Sequence, residues 1–189
     1  MDIRARPAYR PRLRQQHGVT LLELLATLTV ALILSSIAIP ALQTLLMTNR
    51  MSTQVNELLT TLQGARSSAI AHQQRTVLCP ILDQSLCVNS SDWKHGWIVF
   101  ADHNTNQQHD KDEALSRVNN TPTKNLTITS GSGRTRIIFQ ADGTAWGSNT
   151  TLTFCDARGP EQARAIIIAL NGRPRVARTK SDGGPLNCP

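Results

Sequence analysis

VTLLELLATLTVALILSSIAIPALQTLLM, residues 19–47, decides how the rest of this chain is read. From Leu24 to Met47 there is no charge over 24 residues, against the roughly 20 that a helix needs to cross a bilayer. The preceding segment carries Arg4, Arg6, Arg10, Arg12 and Arg14 against Asp2 and ends in His17-Gly18. Arginines flanking a membrane segment stay on the cytoplasmic side, so the remainder is expected beyond the inner membrane. Glu23 is the one acid inside the run. A carboxylate there costs up to about 2.5–3.5 kcal/mol at the bilayer centre and less near its edge. A secretory signal cut after Ser36-Ile37-Ala38 has no use for that cost. A retained helix whose acid meets a neighbour's positive charge does.

The helical pattern continues past the apolar run. Met51, Val55, Leu58, Leu59, Leu62, Ala65 and Ala69 recur at helical spacing with polar residues between them, the mark of a helix apolar on one face. One helix is predicted from Val19 to about Gln73. Pro40 lacks a backbone donor and is expected to kink or locally melt it, and Gly64 is a second weak point.

After Arg75 the periodicity shortens. Strands are predicted at Thr76–Ile81, Gly96–Ala101, Leu126–Thr129, Thr135–Gln140, Thr151–Phe154, Arg164–Leu170 and Arg175–Arg178, rich in β-branched residues and separated by turns such as Asp142-Gly143 and Asn171-Gly172. Gly131–Gly133 and Gly183-Gly184 mark loops. The expected fold class is α+β, a long N-terminal transmembrane and amphipathic helix packed on an antiparallel β-sheet globular domain. Its parts are a leader over 1–18, a transmembrane and assembly helix over 19–47, the amphipathic half of that helix over 48–75, and the β-rich domain over 76–189.

The net charge of +7 is unevenly placed. A basic leader and a basic segment from Arg134 onward enclose a nearly neutral middle, so the chain is not uniformly basic and each block needs its own cause. Cys79, Cys87, Cys155 and Cys188 lack the CxxC spacing of a zinc site, and their even number suits disulfides in an oxidising compartment. Of the three possible pairings, Cys79–Cys87 with Cys155–Cys188 closes the shortest loops and is preferred.

Asp102, Asn104, Asn106, Asp110 and Glu113 fall at oxygen-ligand positions of the EF-hand template. Gln107 replaces the template's glycine, and a strand precedes the stretch. It is read as a solvated loop between strands, and no metal or cofactor is assigned. His17, His72, His95, His103 and His109 show no metal-pair spacing on a helix, and GxSxG, HExxH and phosphate-binding loop motifs are absent from the sequence. An enzyme is not expected.

The basic set is more informative. Arg173 and Arg175 flank Pro174, Arg178 and Lys180 follow, and Arg134 and Arg136 lie on an earlier segment. In a strand Arg173 and Arg175 share a face. Pro174 argues for an edge strand or a strand start. Same-side guanidiniums on a stiff edge fork well onto phosphates, although such an edge also guards against strand-to-strand aggregation. Aromatics are 4% of the chain, so base stacking is not expected to add much to phosphate binding.

Gly18-Val19-Thr20-Leu21-Leu22-Glu23-Leu24 resembles the leader junction of type IV prepilins and pseudopilins. The resemblance implies cleavage between Gly18 and Val19 by a prepilin peptidase, methylation of Val19, and pairing of Glu23 with the terminal amine of an adjacent subunit. The family usually has Phe where this chain has Val19. GWIVFADHN, FQADG, Cys155 and the Gly172-Arg173-Pro174-Arg175 stretch resemble the pseudopilin-H/FimT branch of minor pilins. That resemblance implies an inner-membrane protein with a periplasmic domain, assembled with other pilins into a filament. Its Gly-Arg-x-Arg motif, matched by Gly172, Arg173 and Arg175, implies DNA binding during natural transformation. A structural minor pilin of pilus biogenesis and a pseudopilin of type II secretion are the alternatives.

Overall fold

A computed structural model describes residues 18–82, 86–119, 125–131 and 133–189. The arginine-rich part of the leader and Ser132, in the expected Gly131–Gly133 loop, lie outside the described residues. The chain divides between Thr44 and Leu45 into two units.

Helix α1 (Leu21–His72) opens in the first unit. Its start is capped: Thr20 Oγ1 accepts the Glu23 N–H at 3.2 Å. Thr20 and Glu23 have the spacing of a capping box, and the acid sits in the first turn, where the helix dipole favours it. Residues from Gly18 to Thr44 are exposed. The hydroxyls of Thr27, Thr29, Ser35 and Ser36 donate back to carbonyls one turn earlier, so the polar atoms of the run are satisfied within the helix. By length and composition this helix can cross a membrane. The local melting expected at Pro40 does not occur: the helix is assigned without a break through Pro40 and Gly64. Proline removes a single backbone donor, and Thr44 Oγ1 donates to the Pro40 carbonyl at 3.1 Å on the following turn.

In the second unit the rest of α1 presents Met51, Val55, Leu58, Leu62, Ala65 and Ala69, all buried, with Leu59 partly buried at the margin. Eight strands follow: β1 (Thr76–Pro80), β2 (Trp97–Ala101), β3 (Leu115–Asn119), β4 (Leu126–Ser130), β5 (Ile137–Phe139), β6 (Thr150–Asp156), β7 (Arg164–Ile168) and β8 (Pro174–Ala177). The expected antiparallel sheet is divided in two, with orders β3-β2-β1-β5 and β4-β6-β7-β8. β3 was not predicted. Its apolar residues Leu115 and Val118 remain over a third exposed while the polar Asn119 is buried, so this edge strand left no apolar alternation to read.

The helix stripe is shared. Leu78, Trp97, Val99, Ile137 and Phe139 reach it from the first sheet, and Leu126, Ile128, Leu152, Phe154, Ile166 and Ile168 from the second, in one core cluster. A second cluster on the first sheet (Val77, Ile98, Phe100) adjoins the Cys79–Cys87 disulfide. A third on the second sheet (Ala163, Ala165, Leu186) adjoins Cys155–Cys188.

Arg158 joins strand to helix. It forks onto Asp156, with Nη2 2.6 Å from Oδ2, and its Nη1 donates to Thr48 Oγ1 at 2.8 Å. These hydrogen bonds hold the Asp156 carboxyl below its ordinary value of 3.8, against the opposing effect of burial. A depressed folded-state value means the pair stabilises the fold above that pH and loses its contribution as the carboxyl protonates below it. Asp156→Asn is therefore expected to cost about 1–2 kcal/mol at neutral pH. In thermal melts the gap to the unsubstituted protein should close as pH falls below 3.8.

Candidate functional site

β4 and β6 alternate threonine with apolar residues: Thr127, Thr129, Thr151 and Thr153 against Ile128, Leu152 and Phe154. The apolar set faces α1, so the threonines form the outer face of this sheet. Register places Thr129 beside Thr153, Thr151 beside Ile167, and Ile167 beside Arg175. Directly paired residues share a face, so Thr151, Ile167 and Arg175 make one row across three strands.

The chain beyond β8 folds into a small hairpin. Thr179 bridges Pro185, Lys180 N–H donates to Gly184 O at 2.8 Å, and Gly184 N–H donates to Asp182 Oδ1 at 2.9 Å. Leu186 is buried on the outer face with Ala163 and Ala165, and Cys188 is bonded to Cys155. Between the threonine floor and this hairpin lies a cleft of about 890 Å³. Arg134, Arg175 and Lys180 line it, from three separate segments; Asp182 is the one carboxylate among its described lining residues.

The remaining basic residues are placed elsewhere. Arg173 precedes β8 and does not line the cleft. Arg173 lies one residue ahead of the strand, which begins at Pro174, so strand alternation does not by itself fix its face relative to Arg175. Arg178 is exposed beyond the end of β8. It lies close enough to Arg164 to help, after burial, hold that guanidinium below its usual value. Arg164 was not singled out in the sequence, where nothing marks a strand arginine as neighbour to a charge fourteen residues later. Arg136 is a structural clamp: its Nε donates to Gln107 O at 2.8 Å, its Nη1 bonds Asn89 Oδ1, and desolvation lowers its pKa.

Gly172 closes the β7–β8 hairpin. Its N–H donates to Ala169 O at 2.9 Å with φ at 73°, the left-handed residue that follows a tight turn. A Cβ there would lie 1.9 Å from Gly143 O, the same oxygen that Arg66 Nε bonds at 2.9 Å. The glycine of Gly-Arg-x-Arg thus has a packing reason to be glycine.

β8, which carries Arg175, is held by its ladder to β7. Cys155–Cys188 holds the hairpin that carries Lys180. The Asp102–Glu113 loop is not simply solvated. Asp102 and Glu113 are buried. Glu113 accepts from His103 N–H and Asp110 N–H, and Asp110 accepts from Asn104 and Asn106. Arg75 Nε lies 3.3 Å from Asp102 Oδ2. These oxygens bind the loop to itself, and no metal-ligand group forms among the described residues. At the other end of the chain, Gly18 and Val19 are exposed ahead of the helix, and nothing lies within 4 Å of a Cβ built on Gly18.

Residues 54–172, more than half of the chain, match the type II transport protein GspH family, and residues 13–39 match the prokaryotic N-terminal methylation motif. The fold resembles the type IV minor pilin FimU of Pseudomonas aeruginosa strain PAO1 in two crystal forms. One is 22% identical with a TM-score of 0.56, covering 68% of this chain and 89% of that one. The other is 21% identical with a TM-score of 0.54, covering 67% and 92%. No curated protein matches.

Gly172→Ala brings both the left-handed strain and the 1.9 Å approach. It is expected to cost about 2 kcal/mol or more in denaturant unfolding. An alanine variant as stable as the parent would show that the turn tolerates a side chain.

Proposed function

Because the chain belongs to the GspH family of type II transport proteins, we propose that it is a minor pilin that assembles into a type IV pilus and holds DNA for uptake in natural transformation. Prepilin peptidase removes the leader between Gly18 and Val19, and Val19 is methylated. The apolar helix anchors the subunit in the inner membrane in a single pass, with the C-terminal domain periplasmic. After extraction into the filament, Glu23 neutralises the terminal amine of an adjacent subunit. DNA is held by phosphate contacts from Arg134, Arg175 and Lys180 in the cleft, extended by Arg173 and Arg178 along the β8 edge. Gly172 sets the turn, and Arg136 supports the neighbouring loop.

The observation that carries this reading is the convergence of Arg134, Arg175 and Lys180 on one cleft floored by hydroxyls. Guanidinium and ammonium groups beside threonine donors suit phosphate oxygens. The GspH match favours a second reading, a pseudopilin of type II secretion. That role gives the cationic cleft no task.

Five phosphate-facing cations predict a steep salt dependence, with affinity for duplex falling about 500-fold between 50 and 200 mM salt. Arg173→Ala with Arg175→Ala is expected to abolish the gel shift while leaving the thermal midpoint unchanged. Full retention of binding would exclude this edge as the DNA site. Glu23→Leu is expected to leave the protein membrane-bound yet absent from sheared pili; normal incorporation of that variant would remove Glu23's assembly role.

A further inference from the structure

Three tryptophans occur in the chain. Trp93 and Trp97 are 0% and 1% exposed, whereas Trp146 is 69% exposed. An indole left in water forfeits a large apolar burial, and exposed tryptophans concentrate at binding surfaces.

Trp146 is also held. Ala145 on one side is fully buried and donates its N–H to Leu170 O at 2.9 Å. Ser148 on the other side is buried, its Oγ bonded to both N–H and C=O of Ile138. The indole therefore projects from a loop pinned at both ends, so that docking onto it costs little ordering entropy. Leu170 and Asn149, which bracket this loop in space and in sequence, line the cationic cleft. The turn that carries Arg173 packs closely against the start of the same loop, where Gly172 leaves room only for a glycine beside Gly143 O. One exposed aromatic thus follows Ala145, which is bonded to Leu170 on the wall of a cleft also lined by Arg134, Arg175 and Lys180. The volume, about 890 Å³, is that of a small-molecule site.

We propose that Trp146 stacks an unpaired nucleobase at the mouth of the cleft, so that the favoured ligand is single-stranded or frayed-end DNA, its phosphates running past Arg175, Lys180 and Arg134. This rests on the DNA reading above and replaces its expectation that stacking adds little. A cationic groove for the backbone with an aromatic platform for the base is the general solution to holding single strands without sequence preference.

The test uses the full-length protein in detergent micelles, a single-stranded oligothymidylate and a duplex of the same length. With the other two indoles buried, iodide-accessible emission reports Trp146. The single strand is expected to quench that emission and shield it from iodide. Trp146→Ala is expected to weaken single-strand binding roughly tenfold and duplex binding no more than about twofold, with Trp146→Phe recovering most of the loss. Unchanged single-strand affinity in Trp146→Ala, while Arg173→Ala with Arg175→Ala abolishes binding of both ligands, overturns the stacking and leaves the phosphate site standing. Loss of pilus incorporation with DNA binding intact overturns it in favour of a protein contact. Absence of binding to either DNA by the unsubstituted protein overturns both readings.

Discussion

Two sheets bury their inner faces on one stripe of one helix. Met51, Val55, Leu58, Leu62, Ala65 and Ala69 are the shared floor of a core to which each four-stranded sheet contributes. Neither sheet can shift its register without withdrawing residues from that floor, because a one-residue slip exchanges the two faces of a strand. Fixing the inner faces fixes the outer ones. Since Ile128, Leu152 and Phe154 must meet the helix, Thr129, Thr151 and Thr153 must face away, and the polar floor of the cleft follows from the packing of the core.

The cations over that floor come from distant parts of the sequence, and different forces hold each. Arg175 is placed by a strand ladder, Lys180 by a hairpin fastened through Cys155–Cys188, and Arg134 by a turn in which its N–H bonds Gly131 O and its carbonyl accepts the Ser130 hydroxyl. Like charges gathered in this way repel one another. Asp182 at the rim offsets part of that, and the Arg158 charge is matched by Asp156. Arg164 and Arg178 have no such match between them, and the guanidinium of Arg164 registers the repulsion. An incoming polyanion relieves what the fold leaves uncompensated.

Much of this was legible in the sequence. The helix stripe was read residue by residue because its burial follows a single period, and the strands carrying alternating or continuous β-branched runs declared themselves. β3 did not, because its pairing with β2 is satisfied by backbone bonds while its apolar side chains, Leu115 and Val118, stay partly exposed. The division into two sheets was not legible, since no local pattern encodes which strands become neighbours. Among the site residues, the basic stretch from Arg173 to Lys180 stood out by composition, but its internal partition did not. Arg136 looks like Arg134 in sequence, and only the fold turns one onto a loop carbonyl and the other onto the cleft. Trp146 was invisible for the converse reason: a single indole carries no periodicity, and its exposure comes from the pinning of its neighbours.

The spacing of Gly172, Arg173 and Arg175 follows from the same mechanics. A tight turn from Ala169 leaves the chain needing one left-handed residue before it can pair again, and Gly172 supplies it with φ at 73°. Only then do Pro174 and Ile168 come opposite, and Arg175 beside Ile167 on the outer face. Without that extra residue, the strand would enter one step out of phase and send the Arg175 guanidinium toward the side where Ile166 is buried. The backbone contact with Gly143, braced by Arg66 from α1, keeps the turn from relaxing. The arginine that faces the cleft is therefore braced from α1, through Arg66, Gly143 and Gly172 in sequence. A charge on an edge strand, ordinarily free to swing in solvent, is by this route coupled to the core.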